Sequence, residues 1–137
     1  MKKLYIFIFI LFSLSLSADS LKDKIKEQNQ NVVKLAAQSL SKELPKKVDK
    51  YTKLVSIKSK GETLVYTFEI DAPVSDEEIK NKDHKRMKKA VTYGVCQSSK
   101  RFLESDIKIR YIYISAKSKN ELFRFDIDKK ECKFPPL

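Results

Sequence analysis

A chain of 137 residues with two cysteines, two glycines, one histidine and no tryptophan offers little material for a catalytic or metal centre. Two glycines cannot build a phosphate cradle, one histidine with two cysteines makes a poor zinc site, and no GxSxG, HExxH or GxGxxG occurs. The formal charge of +11 can attract anionic lipid headgroups, lipopolysaccharide, acidic proteins or nucleic acid, and outside the cytoplasm it favours envelope polyanions and acidic proteins.

The opening MKKLYIFIFILFSLSLSADS reads as a secretory signal peptide over residues 1–18. Lys2 and Lys3 form the positive region, Leu4 to Leu16 the apolar region, and Ser15, Ser17 and Ala18 supply small residues for cleavage. The run is too short for a resident transmembrane helix, and no cysteine stands at the cleavage site to carry a lipid. Cleavage is expected after Ser17 or Ala18, leaving one domain over residues 19–137, periplasmic or secreted, with no stable membrane insertion. Loss of Lys2 and Lys3 takes the charge from +11 to +9. A composition rich in Lys, Ile, Phe and Asn is also what an AT-biased genome yields, so charge alone names no partner.

The mature part opens with a helix starting at Asp19 or Ser20, with Ser20-x-x-Asp23 as a capping arrangement. Leu21, Ile25, Val32, Val33, Ala36, Ala37, Leu40 and Leu44 recur at helical spacing and form its expected buried stripe, and Pro45 stops it. Two strands follow, TKLVSIKS and TLVYTFEI, joined by a turn at Ser59-Lys60-Gly61-Glu62. Ser75-x-x-Glu78 opens a long charged helix whose expected buried stripe is Met87, Ala90, Val91, Gly94 and Val95. Cys96 lies about 180° from Met87 on that helix, so either the helix breaks near Gly94 or the tether reaches around its end; the break is the expectation, then a short helix in SSKRFLES. A second hairpin, KIRYIYIS and NELFRFDI, turns at AKSKN. Apolar Ile112 and Ile114 on the second face of KIRYIYIS predict a central strand covered on both sides. The layout is α-β-β-α-β-β, an α+β domain with a four-stranded, mostly antiparallel sheet and helices chiefly on one face.

Export implies an oxidising compartment, where an even pair of cysteines reads as a structural disulfide, Cys96 to Cys132. It would close a loop of about 37 residues, worth about 4 kcal/mol in the chain-entropy picture. His84, in KDHKRMKK, has no neighbouring nucleophile or ligand in sequence and reads as a solvated helix residue. The carboxylates Glu77/Glu78, Glu104/Asp106 and Asp126/Asp128 fall in structural positions. No catalytic residue, metal or cofactor is expected. The sharpest binding feature is the basic ladder Lys82, Lys85, Arg86 and Lys89, which Lys46, Lys47, Lys50 and Lys53 would extend; its plain alternative is a solvated helix face. Tyr111 and Tyr113 read as core, and export argues against nucleic acid.

The pattern Leu44-Pro45, Val48-Asp49, Leu64-x-Tyr66, Cys96, Arg101-Phe102-Leu103, Tyr111-x-Tyr113, Phe125 and Cys132 resembles a group of small exported proteobacterial proteins. Members carry a signal peptide and two cysteines closing a β-rich C-terminal half. The resemblance spans residues 44 to 132 and implies the same disulfide and fold, but no activity. The reading is therefore a non-enzymatic exported binding or accessory protein that recognises an envelope protein or an anionic envelope component. A periplasmic immunity protein or inhibitor is the second reading, and a small envelope hydrolase the third. Oligomeric state is left open.

Overall fold

The computed structural model describes residues 18–133. Nearly all of the expected signal peptide and the closing FPPL lie outside the described residues. Helix α1 (Ala18–Leu40) leads through a 3-10 turn (Ser41–Glu43) to strands β1 (Lys46–Lys47), β2 (Thr52–Lys60) and β3 (Thr63–Ile70). Helix α2 (Asp76–Ser98), short helix α3 (Lys100–Glu104), β4 (Lys108–Ser115), β5 (Glu121–Ile127) and a second 3-10 turn (Lys129–Glu131) complete the order.

The sheet has five strands in the order β1-β2-β3-β4-β5, one more than the sequence suggested. The extra strand is the two-residue β1, whose lysines carry no apolar alternation. Both hairpins are antiparallel, and β3 pairs with β4 in parallel because α2 carries the chain back across the sheet between them. Gly61, with φ of +58°, makes the first hairpin turn.

Register places Leu54, Ile57, Leu64, Tyr66, Phe68, Ile109, Tyr111, Tyr113, Phe123, Phe125 and Ile127 on one face, which holds the core. A bulge beside Leu54 lets both Leu54 and Ile57 face inward. Fully buried side chains such as Leu64, Leu103 and Ile109 each contribute about 1.5–3 kcal/mol of transfer free energy. On the opposite face Val65, Thr67, Arg110, Ile112 and Ile114 are only half-buried, and Arg124 and Asp126 are exposed. The expectation that β4 is covered on both sides therefore fails. β4 is interior to the sheet, but one layer of helices cannot cover two faces.

Helix α1 is rotated from its expected stripe. It buries Asn29, Val33 and Ala37, while Leu21 and Leu35 are 57% and 66% exposed and Ile25, Val32 and Leu40 are also exposed. Leu21, Ile25 and Val32 centre about 100° around the helix from Asn29, Val33 and Ala37. Asn29 decides the rotation. Its Nδ2 donates to Glu62 Oε2 at 3.0 Å and to the Ser105 carbonyl at 2.9 Å, joining α1 to the β2–β3 turn and to the turn before β4. The helix already runs at Ala18, so Ser20 sits inside it and is not a cap.

Ser75 caps α2 as the sequence indicates, its hydroxyl accepting from the Glu78 N–H at 3.2 Å. Ser118 donates to Asp76 at 2.6 Å, which holds that carboxyl below its usual range and ties the β4–β5 turn to the helix start. No break occurs at Gly94; α2 is continuous to Ser98, and α3 follows as expected. Ile79, Val91 and Val95 are buried, Met87 is half-buried, and Ala90 and Gly94 face solvent. Among the described residues no helix is long and apolar enough to cross a membrane.

Asn29 is buried and bridges two distant turns, so Asn29→Ala, which removes both hydrogen bonds and leaves a small void, should lower the unfolding free energy by about 1–3 kcal/mol. The exposed control Asn31→Ala should stay within about 0.5 kcal/mol, both read from urea unfolding.

Candidate functional site

Cys96 and Cys132 are disulfide-bonded, with Cα atoms 5.6 Å apart. The geometry that argued for a helix break is met instead by the other route the sequence allowed, a tether that reaches around: the chain after β5 travels around to α2. The Lys129–Glu131 turn, capped by the Asp128 carboxylate accepting from the Lys130 N–H at 2.8 Å, brings Cys132 to the side of α2 on which Cys96 stands. Cys96 is buried because the strap covers it.

That strap and α2 enclose a groove of about 640 Å³, lined by Lys85, Lys88, Lys89, Thr92, Tyr93, Cys96, Glu131 and Lys133 among others. Tyr93 is 70% exposed, an aromatic ring presented to solvent from a rigid helix. Lys88, Thr92 and Glu131 also line a smaller groove of about 150 Å³ between α2 and the outer edge of β5, with His84 and Arg124. The two hollows thus share a rim.

The basic ladder divides. Lys82 and Arg86 are engaged by Glu78 and Asp83 one helical turn away, and both line a separate hollow with Ile79, Met87 and Tyr51. Lys85 and Lys89 belong to the groove beside the disulfide. Among the described residues, Lys85, Lys88, Lys89 and Lys133 have no carboxylate within 4 Å, so this side of α2 keeps its positive charge. Lys47, Lys50 and Lys53 sit with Asp49, Glu69 and Asp71 toward the β1 edge and do not extend the groove. Sequence reasoning missed Lys88, Lys133 and Tyr93. The Glu78-to-Lys82 and Asp83-to-Arg86 spacings were the available sign that half the ladder is locally neutralised.

His84 lies over β5, its ring 6.0 Å from Phe123 and 5.8 Å from Phe125. Tyr113 is buried and stacks on Phe68 at 4.8 Å, and Tyr111 is half-buried against Tyr66 at 5.0 Å. Burial, reinforced by Tyr111, pushes the Tyr66 hydroxyl up to about 12, and burial also raises Tyr111 and Tyr113. Among the described residues no group of three or more His, Cys, Asp or Glu side chains is placed to hold a metal ion.

A family profile described as a domain of unknown function, DUF8479, matches residues 19–123. No curated protein matches the sequence. A protein of Pseudomonas aeruginosa assigned as secreted is similar in structure, with a TM-score of 0.72 at 13% identity over 80% of this chain and 96% of that one. The pilotin EpsS of the Vibrio vulnificus type 2 secretion system gives 0.69 at 12% identity, over 82% and 99% of the two chains. The type II secretion pilotin AspS of Vibrio cholerae gives 0.67 at 15%, over 81% and 98%. At such identities the likeness is one of fold.

Two measurements follow from the site. Breaking the bridge with Cys96→Ala/Cys132→Ala should cost about 2–5 kcal/mol in urea unfolding. Unfolded tyrosine ionises near 10, and the buried tyrosines ionise later in the folded state. Their stabilisation is therefore complete below about pH 10 and lost as pH rises toward and past the folded value of about 12 for Tyr66. Late tyrosinate absorbance should appear together with loss of the circular dichroism signal; full ionisation near pH 10 in a folded chain would contradict this.

Proposed function

The chain belongs to the DUF8479 family, and from that premise we propose that it is an exported, non-enzymatic accessory protein that holds an acidic segment of another cell-envelope protein in the groove beside Cys96–Cys132. One observation carries the reading: four unpaired lysines and an exposed tyrosine gathered on a single disulfide-stapled ridge. A rigid aromatic ring supplies contact area at low entropic cost, and cations held on one helix select acidic partners and speed encounter. The fold shared with a protein assigned as secreted and with pilotins of type II secretion systems supports an envelope setting and a protein partner. A cleaved signal peptide over residues 1–18 is part of the proposal. So is the basic face, now narrowed from Lys82, Lys85, Arg86 and Lys89 to Lys85, Lys88, Lys89 and Lys133.

The reading predicts that Lys85→Glu/Lys89→Glu abolishes crosslinking-capture of one acidic envelope protein, identified by mass spectrometry. Lys22→Glu/Lys26→Glu on α1 carries the same charge change and should leave capture intact. Equal capture by both variants would reject the groove. Binding of the wild-type protein to anionic phospholipid vesicles but to no protein would replace the protein partner with a membrane surface.

A further inference from the structure

Resting on that reading, we infer that the partner segment binds as an extended strand added to the free edge of β5, with its acidic side chains directed at Lys88 and its neighbours. The two edges of the sheet are treated differently. On one side the edge strand is the two-residue β1, made of Lys46 and Lys47 and preceded by Pro45, which is how folds blunt an edge against pairing. On the other side β5 runs seven residues, Glu121–Ile127, with no lysine and no proline. It pairs with β4 alone, and among the described residues no backbone hydrogen bond is made by the outer side of β5. Alternate N–H and C=O groups along it are therefore open to a partner backbone.

This edge does not face bulk solvent along its whole length. The groove of about 150 Å³ between it and α2 is lined by His84, Lys88 and Thr92 on the helix and by Arg124 to Ile127 on the strand. A strand laid there would pair its backbone with β5 and set one row of side chains against the helix. That is the arrangement in which main-chain bonds supply affinity and alternate side chains supply specificity. Lys88, Thr92 and Glu131 line both grooves, so a segment leaving the β5 edge passes onto the ridge of Lys85, Lys89 and Tyr93, with Glu131 as the carboxylate at the crossing. The Lys129–Glu131 turn and the Cys96–Cys132 bridge close one end and keep α2 a fixed distance from the strand. The unpaired lysines then select a segment with carboxylates at alternating positions.

The test uses the mature protein and an eight-residue peptide alternating glutamate and valine, beside the same peptide N-methylated at every amide. Methylation keeps the charges and removes the strand donors. The unmethylated peptide should bind and slow hydrogen exchange at alternate amides of Glu121–Ile127. Methylation should weaken binding at least tenfold, and Lys88→Glu should weaken it at least fivefold. No binding up to millimolar peptide, or equal binding of the methylated form, overturns the inference. So does exchange protection confined to α2, although that outcome would leave the lysine groove itself standing as a binding site. A β5-to-β5 homodimer that the peptide fails to dissociate would also overturn it.

Discussion

The bond between Cys96 and Cys132 fixes the relation between the helix layer and the end of the sheet. Without it, the chain after β5 would be held to α2 only by side-chain contacts of an exposed 3-10 turn. With it, the strap is closed over the outer side of α2, Cys96 is shielded, and the space between strap, helix and strand keeps one shape. A small domain with helices on only one face of its sheet has a limited core, so a cross-link of this span is a large fraction of its stability. The same bond shapes the surface that carries the proposed function.

Charge on that surface is organised by the helical step. Glu78 and Asp83 stand one turn from Lys82 and Arg86 and engage them, whereas Lys85, Lys88 and Lys89 meet no carboxylate. Those three lysines stand together on one side of α2, beside an exposed Tyr93. Other cations are paired, as Arg110 is with Asp126 on the open sheet face and Lys129 with Asp106, whereas lysines such as Lys22 and Lys26 on α1 are not among the ion pairs of the described residues.

Much of the fold was legible because strand alternation is local: Leu64, Phe68 and Ile70, and Phe123, Phe125 and Ile127, are buried as their spacing indicates. The cysteine pair and the Ser75 cap were legible for the same reason. What escaped depends on partners distant in sequence. Asn29 is only 6% exposed through bonds to Glu62 and Ser105, 33 and 76 positions away, and it turns α1 so that Leu21 and Leu35 face water. Lys133 joins the lysine ridge only because the strap after β5 carries it there. The two-residue β1 has no pattern to read. The continuity of α2 through Gly94 was misjudged because the turning was assigned to the helix when the strap supplies it.

The most direct test of the account places a photo-crosslinking amino acid at Tyr93 in cells and compares the intact bridge with Cys132→Ser. The account predicts one crosslinked envelope protein from position 93, none from a probe at the equally exposed Leu35, and loss of the product when the bridge is broken. A product of equal yield without the disulfide, or from both positions alike, would contradict it.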